Sequence, residues 1–341
     1  MPRHFNTGGP CEPDDHYMVP PLPRFPEARE LIDQKAYFVL HAPRQTGKTT
    51  TLRALAKALT AEGRYAALYF TCEEASTGVD QGEAMRLILD ALHNAARIRL
   101  PVELQPPPFP EAPDGRLLGA ALGAWARACP RPLVVFFDEI DSLVGDALIS
   151  VLRQLRAGFP ERPQNFPWAV ILCGMRDVRD YKLASGGSPP RIGSASPFNV
   201  KVKASRLSDF TFDDVRLLYA QHTAETGQPF TEDALARAFE LSAGQPWLVN
   251  ALAREIVDEM KVPAAEPITT EHLDMAKERL ILARATHIDS LLARLTEPRV
   301  RRIIEPLIAG DDMPGDDLDD DLAYVRAMGL IARKNPVRVA N

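Results

Sequence analysis

APRQTGKT, Ala42–Thr49, stands between an apolar run, AYFVL (Ala36–Leu40), and a stretch of helical periodicity. That arrangement is a strand–loop–helix junction. Backbone N–H groups at the start of such a helix form an anion cradle, and the helix dipole adds positive potential. The pattern G-x-x-x-x-G-K-[ST] assigns the parts. Lys48 reaches the β- and γ-phosphates, and the Thr49 hydroxyl ligates Mg²⁺. Pro43, Arg44, Gln45, Thr46 and Thr50 complete the loop. Gly47 permits the tight turn before Lys48. Ala42 departs from the pattern, which has glycine there, and its methyl is expected to restrict the backbone.

A second motif lies downstream. LVVFFDEID, Leu133–Asp141, is an apolar strand ending in acids. Asp138 is placed to hold the Mg²⁺ shell. Glu139, next to it, can polarise an attacking water. Asp141 and Ser142 read as an ordinary strand-to-helix cap. Either motif alone is ambiguous; the pair points to a nucleotide site.

The chain has 341 residues, enough for two domains or one domain with a large appendage. The net charge of −6 gives no general attraction for nucleic acid or anionic membrane. No apolar run approaches a transmembrane length, and the N-terminus lacks the apolar stretch of a signal peptide. Cys11, Cys72, Cys129 and Cys173 are widely spaced without a C-x-x-C, and Cys72 and Cys173 read as buried free thiols. The histidines show no ligand spacing. A soluble, cytoplasmic protein is expected.

Strands are expected at 36–41, 65–70, 133–138, 168–174 and 199–204, with helices between them. That alternation predicts a parallel sheet with right-handed crossovers and ligand at the carboxyl ends of the strands. The loop strand and the acidic strand are expected to be neighbours, so that Lys48 and Asp138 share one Mg²⁺–nucleotide. From about Phe210 the pattern turns helical. Thr211 and Asp214 form a capping-box pattern, and Pro246 reopens a helix after Gly244. The expected domains are an N-terminal segment, 1–35; a sheet domain, 36–208; a helical lid, 209–296; and a C-terminal helix–wing module, 297–341.

The two motifs, the helices after strand five and the terminal wing resemble AAA+-type P-loop ATPases. The likeness extends to their STAND and archaeal-ATPase branch, including bacterial AAA-like ATP-binding proteins. FNTGGPCEPDDHYMVPP, YFVLHAPRQTGKTT, CGMRDVRDYK and GSASPFNVK carry it. The resemblance implies an α/β P-loop NTPase fold, ATP and Mg²⁺ as cofactors, and further roles. Arg176 would read the γ-phosphate. Gln245 and Pro246 match the G-x-P segment of a lid over the nucleotide. The stretch from Tyr17 would border adenine. It also implies a further region after the wing, often endonuclease-like; the sequence stops at Asn341, and nuclease activity is not carried over.

Other features have plain readings. Ser185–Pro197 reads as a surface connector. DDMPGDDLDDD, Asp311–Asp321, lacks the order of a Ca²⁺ loop and reads as a solvated turn with an acidic helix start. Three carboxylates at that helix start, which Arg299, Arg301 and Arg302 are not expected to offset, argue against duplex DNA binding by the module. Trp125, Trp168 and Trp247 read as core. The function expected is a slowly hydrolysing ATPase that acts as a nucleotide-dependent switch, with an unspecified protein partner and oligomers open. The alternatives are a non-hydrolysing nucleotide-binding scaffold and a DNA-associated motor or loader.

Overall fold

The computed structural model describes residues 2–75, 80–143, 145–175, 201–283, 295–310, 319–332 and 337–339. Arg176, the Ser185–Pro197 connector, all but the last residue of the helix expected at Thr286–Leu295, and the middle of the wing lie outside them. The chain divides into two compact units. One holds Met1–Pro21, Pro43–Thr50 and Ser208–Asn341; the other holds Leu22–Ala42 and Thr51–Leu207.

The second unit is built on a parallel sheet. Its strands are β1 (Tyr37–His41), β2 (Ala66–Thr71), β3 (Leu133–Asp138), β4 (Ala169–Gly174) and β5 (Lys201–Arg206). The order across the sheet is β2-β3-β4-β1-β5. Side chains alternate between two cores, as the pleat requires. Tyr37, Val39, Val135, Phe137, Val170 and Leu172 enter one core. Phe38, Leu40, Val134, Phe136, Ile171 and Cys173 enter the other. Both faces of β1 to β4 are covered, which is why these four strands read as largely apolar runs.

The first core is closed by α3 (Gln81–Arg99), α4 (Leu117–Ala128) and α5 (Gly145–Gly158). Met85, Ile88, Leu89 and Leu92 face it from α3, and Asp80 caps that helix by accepting the Glu83 N–H at 2.8 Å. Trp125 is fully buried there, and its indole N–H donates to the Leu104 carbonyl. The second core is closed by α1 (Ala28–Asp33) and by α2 (Lys48–Ala61), through Leu52, Leu55, Ala56 and Leu59. Burying Leu52 and Leu59 completely is worth about 1.5–3 kcal/mol each.

One expectation fails. The loop strand β1 and the acidic strand β3 are not neighbours; β4 pairs with both. The sheet is parallel, so the carboxyl ends of β1 and β3 share one edge, about 10 Å apart at two strand spacings.

The other unit is helical. Its helices are α6 (Phe212–Thr226), α7 (Glu232–Ser242), α8 (Pro246–Arg254) and α9 (Thr270–Leu282), with a five-residue π-helical turn, Glu255–Glu259, continuing α8. The capping box on α6 is formed in both directions, Asp214 N–H to Thr211 Oγ1 and Thr211 N–H to Asp214 Oδ2. Val249, Leu252 and Ile256 enter a core that also takes Phe5, Tyr17 and Val19 from the N-terminal segment.

A smaller cluster joins α10 (Pro298–Ala309), α11 (Asp320–Ala327), Ile331 and Val337. Ile331 and Val339 form an antiparallel bridge. Asp319 caps α11, accepting the N–H groups of Asp321 and Leu322. Its carboxylate also pairs with Arg302, while Asp321 pairs with Arg302 and Arg299, and Arg301 pairs with Glu305. For Asp319 and Asp321, the expectation that these arginines leave the acids uncompensated therefore fails. The helix hairpin brings the two signs together across a gap in sequence.

Candidate functional site

The loop after β1 is shaped by two left-handed residues. Gln45 has φ 59° and Gly47 φ 84°, flanking Thr46. Such alternation turns successive N–H groups inward to make an anion nest. Ala42 is fully buried and is not among the left-handed residues, so its methyl does not restrict the turn as expected. The conformational demand falls at positions 45 and 47. Gln45, a non-glycine residue there, holds strain of about 1–3 kcal/mol. The Pro43 carbonyl accepts from the Thr46 hydroxyl and from Lys48 Nζ, both at 2.9 Å. Lys48 is 6% exposed, so its ammonium lies across its own loop. Thr49 is half-buried at the start of α2, and Arg44 is exposed.

The N-terminal segment ties this loop to the helices of the same unit. Thr50 Oγ1 accepts the Cys11 N–H at 3.1 Å. Four residues earlier, the Thr7 carbonyl accepts the indole N–H of Trp247, and Thr7 Oγ1 accepts from Arg254. Trp247 and Arg254 are both on α8. Gln45, Trp247 and Arg254 also line a cavity of about 600 Å³ bordered by the π-helical turn.

Gln245 and Pro246 open α8. The Gln245 side-chain oxygen accepts the Leu248 N–H at 2.6 Å, and Pro246 is the first helical residue. Gly244 has φ 77°, and a Cβ there would lie 2.0 Å from the Phe210 carbonyl oxygen. The buried amide nitrogen of Gln245 has no partner among the described residues. Tyr17 is 2% exposed; its ring packs on Phe5 and its hydroxyl donates to Glu225 at 3.1 Å. Burial and the Glu225 contact push its pKa up to about 12. The side-chain amide of Gln221 holds both the N–H and the carbonyl of Met18.

The acidic strand end belongs to the sheet unit. Asp138 is 1% exposed. Its Oδ1 accepts the Glu139 N–H and its Oδ2 accepts the Tyr69 hydroxyl, both at 3.0 Å. Glu139 is left-handed, with φ 52° and ψ 37°. Asp141 and Ser142 do not act as the local cap expected of them. Asp141 accepts the Met175 N–H past the end of β4, and Ser142 donates to the Cys72 carbonyl. Cys72 is a buried free thiol, and burial, then the charges of Asp138, Asp141 and Glu139, raise its pKa. Tyr69, the donor to Asp138, is not among the residues that the sequence singles out. Among the described residues no group of His, Cys, Asp and Glu has the arrangement of a metal cluster. The Asp138 carboxylate, an oxygen donor, is of the type that suits a hard cation such as Mg²⁺.

Residues 31–181 match the family model of an AAA domain. This stretch is an AAA-type P-loop domain. The match takes in β1, the loop and the acidic strand end of the AAA domain. No curated protein matches the chain. Among solved structures, the Walker-type ATPase PABY2304 of Pyrococcus abyssi is 16% identical with a TM-score of 0.63, covering 99% of this chain and 97% of its own. At that identity the likeness shows a shared fold. The Thermotoga maritima RuvB Holliday junction branch migration motor is 15% identical with a TM-score of 0.47, over 94% and 90% of the two chains. Aeropyrum pernix ORC1, solved in complex with DNA, is 14% identical with a TM-score of 0.49, over 94% and 90%. No described helix is long and apolar enough to cross a membrane.

Proposed function

We propose that the protein binds ATP with Mg²⁺, hydrolyses it slowly and uses the change as a conformational switch. The observation that carries this reading is the pre-shaped loop: Gln45 and Gly47 hold an anion nest open, and Lys48 waits on the Pro43 carbonyl. Phosphate oxygens would take the ammonium from that carbonyl. Thr49 and Asp138 would supply protein oxygen donors for Mg²⁺, which when bound neutralises charge on the β- and γ-phosphates. Glu139, turned by its left-handed backbone, would orient the attacking water and accept its proton. Arg176 would sense the γ-phosphate, and Gln245 and Pro246 would close over the nucleotide.

The switch reading draws on the strap from Thr7 to Cys11. It is bonded to the loop helix at Thr50 and to α8 at Trp247 and Arg254. A shift of the loop on phosphate binding would therefore reach α8 through short, directional bonds. Such a device needs two states with different affinity for ATP and ADP.

Calorimetric titration of Mg·ATP tests the binding. Saturable binding is expected for the wild type. Lys48→Ala should abolish tight binding, a loss of at least about thirtyfold for removing a charge partner from a buried anion. Equal affinity in both proteins would sink the assignment.

A further inference from the structure

We propose that Tyr69 is a positioning residue for the Mg²⁺ site, a phenol that locks the carboxylate of Asp138; this rests on the ATP·Mg²⁺ reading above. In the β2–β3 pair Tyr69 stands opposite Phe136 and Thr71 opposite Asp138. Tyr69, Phe136 and Asp138 therefore share one face of the sheet, the face that α2 covers. A phenol leaning along its strand toward the carboxyl edge meets the acid two positions beyond its own partner. The contact is a 3.0 Å bond from the Tyr69 hydroxyl to Asp138 Oδ2.

The second oxygen of Asp138 is engaged differently, by the N–H of Glu139 at 3.0 Å. One donor on each oxygen fixes the rotation of the carboxylate. An ionised carboxylate has about four lone-pair sites, more than these two bonds use. Both partners are buried, Tyr69 at 7% and Asp138 at 1% exposure. Neither bond is readily replaced by bulk water. The phenol is itself held in place. The guanidinium of Arg99, the last residue of α3, lies 5.5 Å from the centre of its ring. A cation over a phenol ring is attractive and strengthens the hydroxyl as a donor.

Groups that orient a metal-binding carboxylate typically affect metal affinity or activity about 10–100-fold when removed. Tyr69→Phe removes only the hydroxyl. Binding of Mn²⁺, followed by electron paramagnetic resonance with saturating ADP, reads the metal site without requiring turnover. In Tyr69→Phe the Mn²⁺ affinity should fall about tenfold. Metal-free ADP affinity should stay within twofold, and the thermal midpoint should show a folded protein. Arg99→Gln should lower Mn²⁺ affinity in the same direction by a smaller factor. Unchanged Mn²⁺ affinity in a folded Tyr69→Phe would overturn the positioning role and leave the nucleotide reading standing. Equal losses of metal-free ADP and Mn²⁺ binding would assign Tyr69 to the fold and overturn the proposal. A wild type that binds ADP but no Mn²⁺ would overturn the metal reading and this proposal together. A wild type that binds neither would sink the nucleotide reading itself.

Discussion

The phosphate loop and the acidic strand end solve opposite problems with one device. Each places a left-handed, non-glycine residue beside its key group, Gln45 in the loop and Glu139 after Asp138. In the loop the working cation rests on a carbonyl of its own backbone, Lys48 Nζ on Pro43. At the strand end the working anion is clamped by donors from two places, Tyr69 and Glu139. A cation that must exchange a carbonyl for phosphate oxygens needs a weak resting partner. A carboxylate that must present fixed lone pairs needs a firm one. On the proposed function, the comparison separates binding, assigned to the loop, from chemistry, assigned to the strand end.

That separation can be broken by experiment. The largest effect is expected at the strand end. Glu139→Gln keeps shape and hydrogen bonding but removes the charge that accepts a proton. Turnover should fall about a hundredfold or more while ATP affinity is kept, as for loss of a positioned base. Normal turnover in Glu139→Gln with a dead Asp141→Asn would show that the roles belong to the other acid. A smaller effect is expected in the loop. Gln45→Gly relieves the left-handed strain and should raise stability by about 1 kcal/mol in chemical denaturation. A loss of stability would mean that the Gln45 side chain contributes more than its backbone costs.

Much of the fold is legible in the sequence. β1 to β4 each begin and end within about two residues of an apolar run, because strands buried on both faces leave little polar interruption. The capping box at Thr211 and the helix restart at Pro246 are local signals, and both are formed. What failed was non-local. Nothing in the residues of β3 says that β4 separates it from β1. Asp141 and Ser142 looked like a local cap, yet their partners, Met175 and Cys72, are 34 and 70 residues away. Tyr69 escaped notice for the same reason: its meaning depends on the register of β2 against β3. Asp319 and Asp321 read as solvated because Arg299 and Arg302 come near them only through the fold of the hairpin. Arg176 remains an expectation from resemblance.

The central claim is that the nucleotide at the loop is felt at α8 through the Thr7–Cys11 strap. Amide hydrogen exchange along Thr7–Cys11 tests it most directly, with the protein loaded with a non-hydrolysable ATP analogue or with ADP. The account predicts slower exchange with the ATP analogue, by at least about fivefold, the lower end of usual site-to-site coupling. Identical exchange in the two states, with both nucleotides shown to be bound, would contradict it.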